Sequence, residues 1–416
     1  MRWIPISLAA LALLAGCAPK GDQPMDPGKA DEDQPAITFG GDVAFLKEHV
    51  ETLVLSDASG EARLAVVPAY QGRVMTSTDG GVDGASYGWI NRRLIESGEV
   101  HEHINPYGGE DRFWLGPEGG QFAIFFSEGD PFDLEHWQTP APIDTQGWGV
   151  ARKTETSVAF AHTFRVTNCS GFTFQVKADR TVRLLDAEAA WKHLGVDPAG
   201  DVSIVAYESV NTLTNAGEKA WKKETGLLSI WILGMYNPSD ATTIVAPIKP
   251  GPESDLGPKV IDDYFGKVPA DRLVVEDDVI YFSGDGKHRS KIGIQPKRCR
   301  GVLGSYDAAG QALTVVQFTF DPSETDYVNS LWKMQDEPYA GDAANSYNDG
   351  PPEPGAEPMG PFYELESSSP AAALAPGATR RHVHRTIHLR GPEETLDPIA
   401  RAVFGVGIAE IKGALQ

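Results

Sequence analysis

The chain has 416 residues and a net charge of −22 at pH 7, from 36 basic and 58 acidic side chains. A polyanion of this size repels other polyanions at long range, so no nucleic-acid partner is expected. Length alone allows two or three domains, but an all-β body carries this many residues as one.

The amino terminus, MRWIPISLAALALLAGC, has one early positive charge, a short apolar run and then Leu14-Ala15-Gly16-Cys17. This is the layout of a secretory signal, and the run is shorter than the about 20 apolar residues of a membrane-spanning helix. Its Leu-Ala-Gly-Cys end resembles the bacterial lipobox, in which the cysteine is lipidated and begins the mature chain. That resemblance implies a signal peptide over 1–16, a lipid anchor on Cys17, and a place at the bacterial cell envelope, on the outer membrane or the periplasmic face. Residues 17–36 are rich in Pro, Gly, Asp and Lys and nearly free of apolar side chains, which describes a flexible tether. Residues 37–416 remain for a single globular domain. Its two cysteines, Cys169 and Cys299, are available for a disulfide or stay free; spacing does not decide.

Within that body, β-like runs follow one another. Alternating or β-branched content predicts strands at 51–57, 62–69, 73–79, 121–128, 156–168, 172–186, 202–215, 226–236, 242–248, 271–284, 312–321, 361–374 and 380–391. Helical spacing is confined to 42–51, 186–195 and 397–415. Without regular strand–helix alternation a parallel α/β sheet is disfavoured, and a large antiparallel sandwich with a few short peripheral helices is expected. The Pro- and Gly-rich segment 338–361 reads as a long irregular loop whose front, with Tyr347 and Asn348, packs or binds something.

Four stretches carry chemistry. HEHINPYGGEDRFWLGPEGGQ (101–121) surrounds its glycines with His101, His103, Asn105, Arg112, Trp114 and Glu118. An aromatic face beside planar hydrogen-bonding groups suits a sugar ring, whose C–H face packs on Trp while its hydroxyls pair with amide, carboxylate or guanidinium. The same residues also fit a plain turn, with Arg112 paired to a local carboxylate and Trp114 in the core. His101 and His103 share a face if their segment is a strand, and Glu118 or Glu364 then completes a divalent-metal triad. In YELESSSPAAAL, Glu364 and Glu366 share a strand face, either as a proton-transfer pair or as a solvated stripe. In RRHVHRTIHL, His382, His384 and His388 share a face that either lines a cleft or belongs to an edge strand. WILGMYNPSD places Trp231, Tyr236 and Asn237 near a strand end. No GxSxG segment supports a serine nucleophile. No cofactor is implied, although the many carboxylates supply ligands suited to Ca²⁺.

GRVMTSTDGG from residue 72, NPYGGEDRFWLGPEGGQFAIFF (105–126), AANSYNDGP (343–351) and FYELESSSPAAALAPG (362–377) resemble a group of bacterial lipoproteins and secreted proteins related to the galactose mutarotase-like, or aldose epimerase, superfamily. The resemblance covers roughly residues 40 to 390. It implies a β-supersandwich with a carbohydrate cleft on a concave face, Arg112 in contact with sugar beside Trp114 and Glu118, and Glu364 or Glu366 as catalytic base with a histidine as acid partner. The family's mid-chain catalytic histidine has only a faint echo, His162 in AHTFRVTN. The expectation is therefore an envelope lipoprotein that binds or processes carbohydrate, by epimerase-like or other glycan-processing chemistry, or else a non-catalytic glycan-binding or structural lipoprotein. The expected site comprises Glu364, Glu366, Glu118 and His103 for proton transfer, and His101, Asn105, Arg112, Trp114, Tyr347, Asn348 and His384 for ligand binding.

Overall fold

The computed structural model describes residues 37–353 and 355–416. The signal peptide, Cys17 and the tether lie outside the described residues, and Ile37–Gln416 cluster as one unit. The strands are β1 (Leu53–Ser56), β2 (Arg63–Val67), β3 (Arg73–Thr78), β4 (Arg112–Gly116), β5 (Gly149–Lys153), β6 (Ser157–Thr167), β7 (Thr173–Leu184), β8 (Ser203–Asn215) and β9 (Ser229–Tyr236). They continue as β10 (Thr242–Pro247), β11 (Leu273–Val275), β12 (Val279–Ser283), β13 (Ser290–Ile294), β14 (Val302–Asp307), β15 (Ala312–Phe318), β16 (Ala344–Asn348), β17 (Tyr363–Ser368) and β18 (Thr379–Arg390). The helices are α1 (Phe39–His49), α2 (Arg92–Ser97), α3 (Ala187–Leu194), α4 (Glu253–Leu256), α5 (Glu393–Phe404) and α6 (Ile408–Gly413). None is long and apolar enough to cross a membrane.

The ladders are antiparallel throughout, as the strand patterning implies. Ten strands form one sheet in the order β11-β12-β10-β14-β15-β18-β8-β7-β6-β5, five form a second in the order β13-β16-β17-β9-β4, and β1-β2-β3 form a third. The five-stranded sheet lies on the ten-stranded one, and the contacts between them are polar as well as apolar. Tyr363 and Ser305 share a hydrogen bond of 2.8 Å, and the Ser367 hydroxyl meets His382 Nε2 and His384 Nδ1, each at 2.8 Å. On the far side of the large sheet, Trp191 of α3, Leu396, Ile399 and Phe404 of α5 and Ile408 of α6 pack on Tyr306, Val315, Ile387 and Leu389. The fold is an all-β antiparallel sandwich with short peripheral helices.

β7 buries every second residue along nearly its whole length, which is the signature of a sheet with one face on the core. β9 and β17 are buried at every position because both of their faces are covered. Asp186 caps α3 by accepting from the Ala189 N–H at 2.8 Å, and Gly195, at φ +72°, ends it.

Several local expectations are corrected. Residues 121–128 form successive turns, because Pro117 has no N–H to continue the β4 ladder and Ala123–Phe126 all bury their side chains instead of alternating. The run 271–284 divides into the hairpin β11–β12. The final helix divides at Gly405, at φ +83°, into α5 and α6. β16 stands inside the supposed loop 338–361, held between β13 and β17. Cys169 and Cys299 are both free thiols.

Candidate functional site: a cleft over the five-stranded sheet

Strand side chains repeat every second residue, so register decides which of them share a face. Arg112 pairs with Leu233, Leu233 with Glu366, and Glu366 with Asn345. Beside that row, Trp114 pairs with Trp231; on its other flank Met235 pairs with Glu364, Glu364 with Tyr347, and Tyr347 with Lys291. These rows turn away from the large sheet and floor a cleft of about 390 Å³. It runs into a recess of about 300 Å³ that shares Glu118, Trp231, Lys291 and Trp332. The walls come from loops that carry His103, Trp137, Trp332, Phe265, Arg289 and Met359.

The floor is aromatic on one side. Trp114 meets Trp231 edge-on at 5.5 Å between centroids, and Trp137 lies 5.7 Å from Trp332. The Arg112 guanidinium lies over Trp114 at 3.9 Å, and its Nη2 stands 4.0 Å from Glu364 Oε1. Arg112 is 3% exposed, and its Nε and Nη1 have no hydrogen-bond partner among the described residues. Trp114 Nε1 and Trp137 Nε1 are also buried without a partner.

The carboxylates differ in kind. Glu366 is saturated: Lys291 Nζ donates to both of its oxygens at 3.0 Å, and Trp231 Nε1 donates at 2.8 Å. Burial pushes the Glu364 carboxyl up to about 8; the charge of Glu366 adds to the rise, and Arg112 and Lys291 oppose it. Burial likewise raises Glu118 to about 7, against the pull of Lys291. Burial works against the Lys291 charge, but Glu366, Glu118 and Glu364 outweigh it and hold its pKa above the ordinary value. Burial thus favours the protonated forms of Glu364 and Glu118, beside the Lys291–Glu366 ion pair. Asp349, next to the Tyr347 row, accepts from Tyr347 OH at 2.6 Å and from the Gly360 N–H at 2.9 Å.

Of the expected site residues, Arg112, Trp114, Glu118, His103, Tyr347 and Glu364 line the cleft, and Glu366 lies just beneath. His103 Nδ1 donates to Trp137 O at 2.7 Å, which leaves Nε2 as an acceptor. Four others stand elsewhere. His101 is exposed beside Glu99, since residues 101–104 form a turn and not a strand. Asn105 is buried, donating to Asp144 at 2.7 Å and to His101 O at 3.1 Å, so it clamps the loop that carries His103. Asn348, one residue from Tyr347, points to the opposite face and holds the 285–288 turn through His288 O and Gly286 N. His384 lies between the sheets against Ser367, where burial lowers it to about 4. No group of three or more His, Cys, Asp or Glu among the described residues is arranged to hold a metal. Lys291, Arg289, Trp137, Trp332 and Phe265 escape sequence reading; the short strand SKIGI was the one signal for Lys291.

Fold and site together define an all-β sandwich protein with an aromatic, carboxylate-lined cleft over its smaller sheet. The chain belongs to the family of unknown function DUF6786, whose model matches residues 37–415. Among solved structures it is similar to a putative aldose 1-epimerase from Escherichia coli K12, at 11% identity and TM-score 0.47, covering 82% of this chain and 99% of that one. It is similar also to a galactose mutarotase-like protein from Lactobacillus casei ATCC 334, at 12% identity and TM-score 0.45, covering 82% and 100%. A putative mutarotase from Salmonella typhimurium matches at 11% identity and TM-score 0.45, covering 83% and 92%. No curated protein matches.

Proposed function

We propose that this protein binds a saccharide in the cleft over the five-stranded sheet and moves a proton on it through Glu364, at the bacterial cell envelope to which Cys17 anchors it. The observation that carries the reading is the convergence, on one sheet face, of a Trp114–Trp231 platform with Glu364, Glu118 and Arg112. Indole faces take the C–H side of a pyranose, and the Arg112 guanidinium in the cleft lining supports recognition of its oxygens. Sequence resemblance implies a glutamate base; burial, which favours the protonated carboxyl, supports Glu364 as the acid instead. In an epimerase-like step Glu364 gives its proton to the ring oxygen. Glu118 or His103 Nε2 takes the proton of the anomeric hydroxyl, and the ring C–O bond opens. The reverse transfers close the ring on the other face.

The test is anomer interconversion by NMR across a sugar panel. Glu364→Gln is expected to lower the rate by about 10²- to 10⁴-fold, the usual worth of a positioned acid or base, with binding retained. Binding with no turnover in either protein would make the cleft a glycan-binding site only. The envelope part rests on Leu14-Ala15-Gly16-Cys17. Metabolic labelling with an alkyne fatty acid should mark the wild type and not Cys17→Ala; equal labelling of the two would sink it.

A further inference from the structure

We infer that the saccharide taken by this cleft is anionic, with one acid group received by Arg112 on the floor and, on a longer chain, a second received by Arg289 at the mouth. The inference rests on the saccharide reading and names the class of sugar. Its basis is that neither guanidinium makes a hydrogen bond among the described residues, in a chain with carboxylates to spare, 58 against 36 basic residues. The other buried arginines all donate to the chain: Arg180 to Asp111 at 2.7 Å, Arg73 to Gly108 O at 2.9 Å, and Arg298 to Lys249 O and Gly257 O, each at 2.8 Å. Arg112 is 3% exposed, yet it makes no hydrogen bond, its nearest carboxylate is 4.0 Å away and its Nε and Nη1 have no partner among the described residues. Leaving a buried charge unpaired is costly unless a ligand pairs it.

Arg289 makes no hydrogen bond or ion pair among the described residues. Its guanidinium lies on the ring of Phe265 at 3.9 Å, an orientation that fixes the fork while leaving its edge free. The nearby carboxylate of Asp349 is taken up by Tyr347 OH and the Gly360 N–H. Between the two arginines, the Lys291 charge is spent on Glu366. Arg112 and the Arg289–Lys291 segment sit at opposite edges of the sheet order β13-β16-β17-β9-β4. At about 4.8 Å per strand their separation calls for more than one sugar unit. A planar fork meets carboxylate, sulfate or phosphate in two parallel hydrogen bonds, so the shared chemistry is an oxyanion on a sugar. An anion beside Arg112 also keeps the neighbouring Glu364 protonated, the form its donor role needs.

The experiment is calorimetric titration at pH 7 with matched pairs: glucuronate against glucose, oligogalacturonate against its neutral galactose counterpart, and glucose 6-sulfate and 6-phosphate to separate the sources of the anion. The acidic member of a pair should bind at least about 10-fold tighter, the worth of hydrogen bonds to a charged group. Arg289→Gln should remove the advantage of the acidic oligomer over the acidic monomer, with thermal melts reporting that it is folded. Arg112→Gln should abolish the acid preference, with thermal melts reporting that it is folded. Equal affinity within every pair, or an acid preference that survives Arg112→Gln, overturns the inference. Neutral sugars that bind and turn over while acidic ones bind no better would overturn it and leave the saccharide reading standing; a panel in which nothing binds removes both.

Discussion

The Arg112 guanidinium stacks 3.9 Å above the ring of Trp114, and among the described residues no group accepts a hydrogen bond from its Nε or Nη1. The stack positions the charge without neutralising it. A buried cation without a partner weakens a fold, so binding and stability should pull apart here. Arg112→Met, of similar reach and no charge, removes a buried cation that makes no hydrogen bond and is expected to unfold at higher urea. Its saccharide binding should fall. A loss of stability in that variant would mean that the stack outweighs the desolvation cost.

Glu364 sets a pH dependence whose sign follows from its environment. Its folded pKa, about 8, lies above the ordinary 4.5, so the folded state holds a proton that the unfolded chain releases between those values. Stability contributed by the protonated form is fully present below pH 4.5 and is lost as pH rises toward 8. Glu118, raised to about 7, adds a slope of the same sign. Urea midpoints measured at intervals from about pH 5 to 8 should therefore fall, less steeply in Glu364→Gln and least in the double variant with Glu118→Gln. Turnover that depends on the Glu364 proton should decline above about pH 8. A wild-type midpoint that rises across this window would contradict the assignment.

Glu110 is the most heavily bonded carboxylate between the sheets. It accepts from the Ser77 hydroxyl, Tyr207 OH and His388 Nε2, each at 2.9 Å, and from the Ser77 N–H. Glu110→Ala strands these donors in a dry interior. The expected loss is about 3–5 kcal/mol, a large share of the stability of a typical domain, read from guanidinium unfolding. A loss below about 1 kcal/mol would show that the network can be rebuilt without its centre.

Gly108 precedes β4 at φ +91°, and a Cβ there would stand 2.1 Å from Trp89 O. A backbone oxygen cannot step aside as a flexible side chain does. Gly108→Ala should therefore lower stability by about 2 kcal/mol or more, from strain alone at the lower end. It should also disturb saccharide binding by shifting Arg112. An unchanged melting temperature would refute the close approach.

Legibility in the sequence follows alternation. β6 and β7 alternate plainly because one face meets the core and the other meets solvent, and with β8 they stand near the expected bounds. β4, β13 and β16 are five residues each, set among Gly, Pro and polar side chains, and their own content does not announce a strand. Ladder partners hold them extended. The same limit governs the site. Trp114 with Arg112, and Glu364 with Glu366, share faces by the two-residue period, and that much can be read locally. Asn348 and His384 are of the right residue types for a sugar, but the period alone does not say which face of a doubly covered strand is the floor of a cleft.

The sequence by itself determined the antiparallel all-β character, the acidic charge, and the pairing of Glu364 with Glu366 on one strand face, because each depends on composition or on spacing within a single segment. Only the tertiary structure decided that this face meets Trp114 and Arg112 across β9 and Lys291 across β16. Strand order and register are set by contacts between segments far apart in the chain. It was this assembly, bringing Arg112 and Glu366 close and burying Glu364 without a hydrogen-bonded partner, that separated two adjacent glutamates into an ion-paired anion and a proton donor.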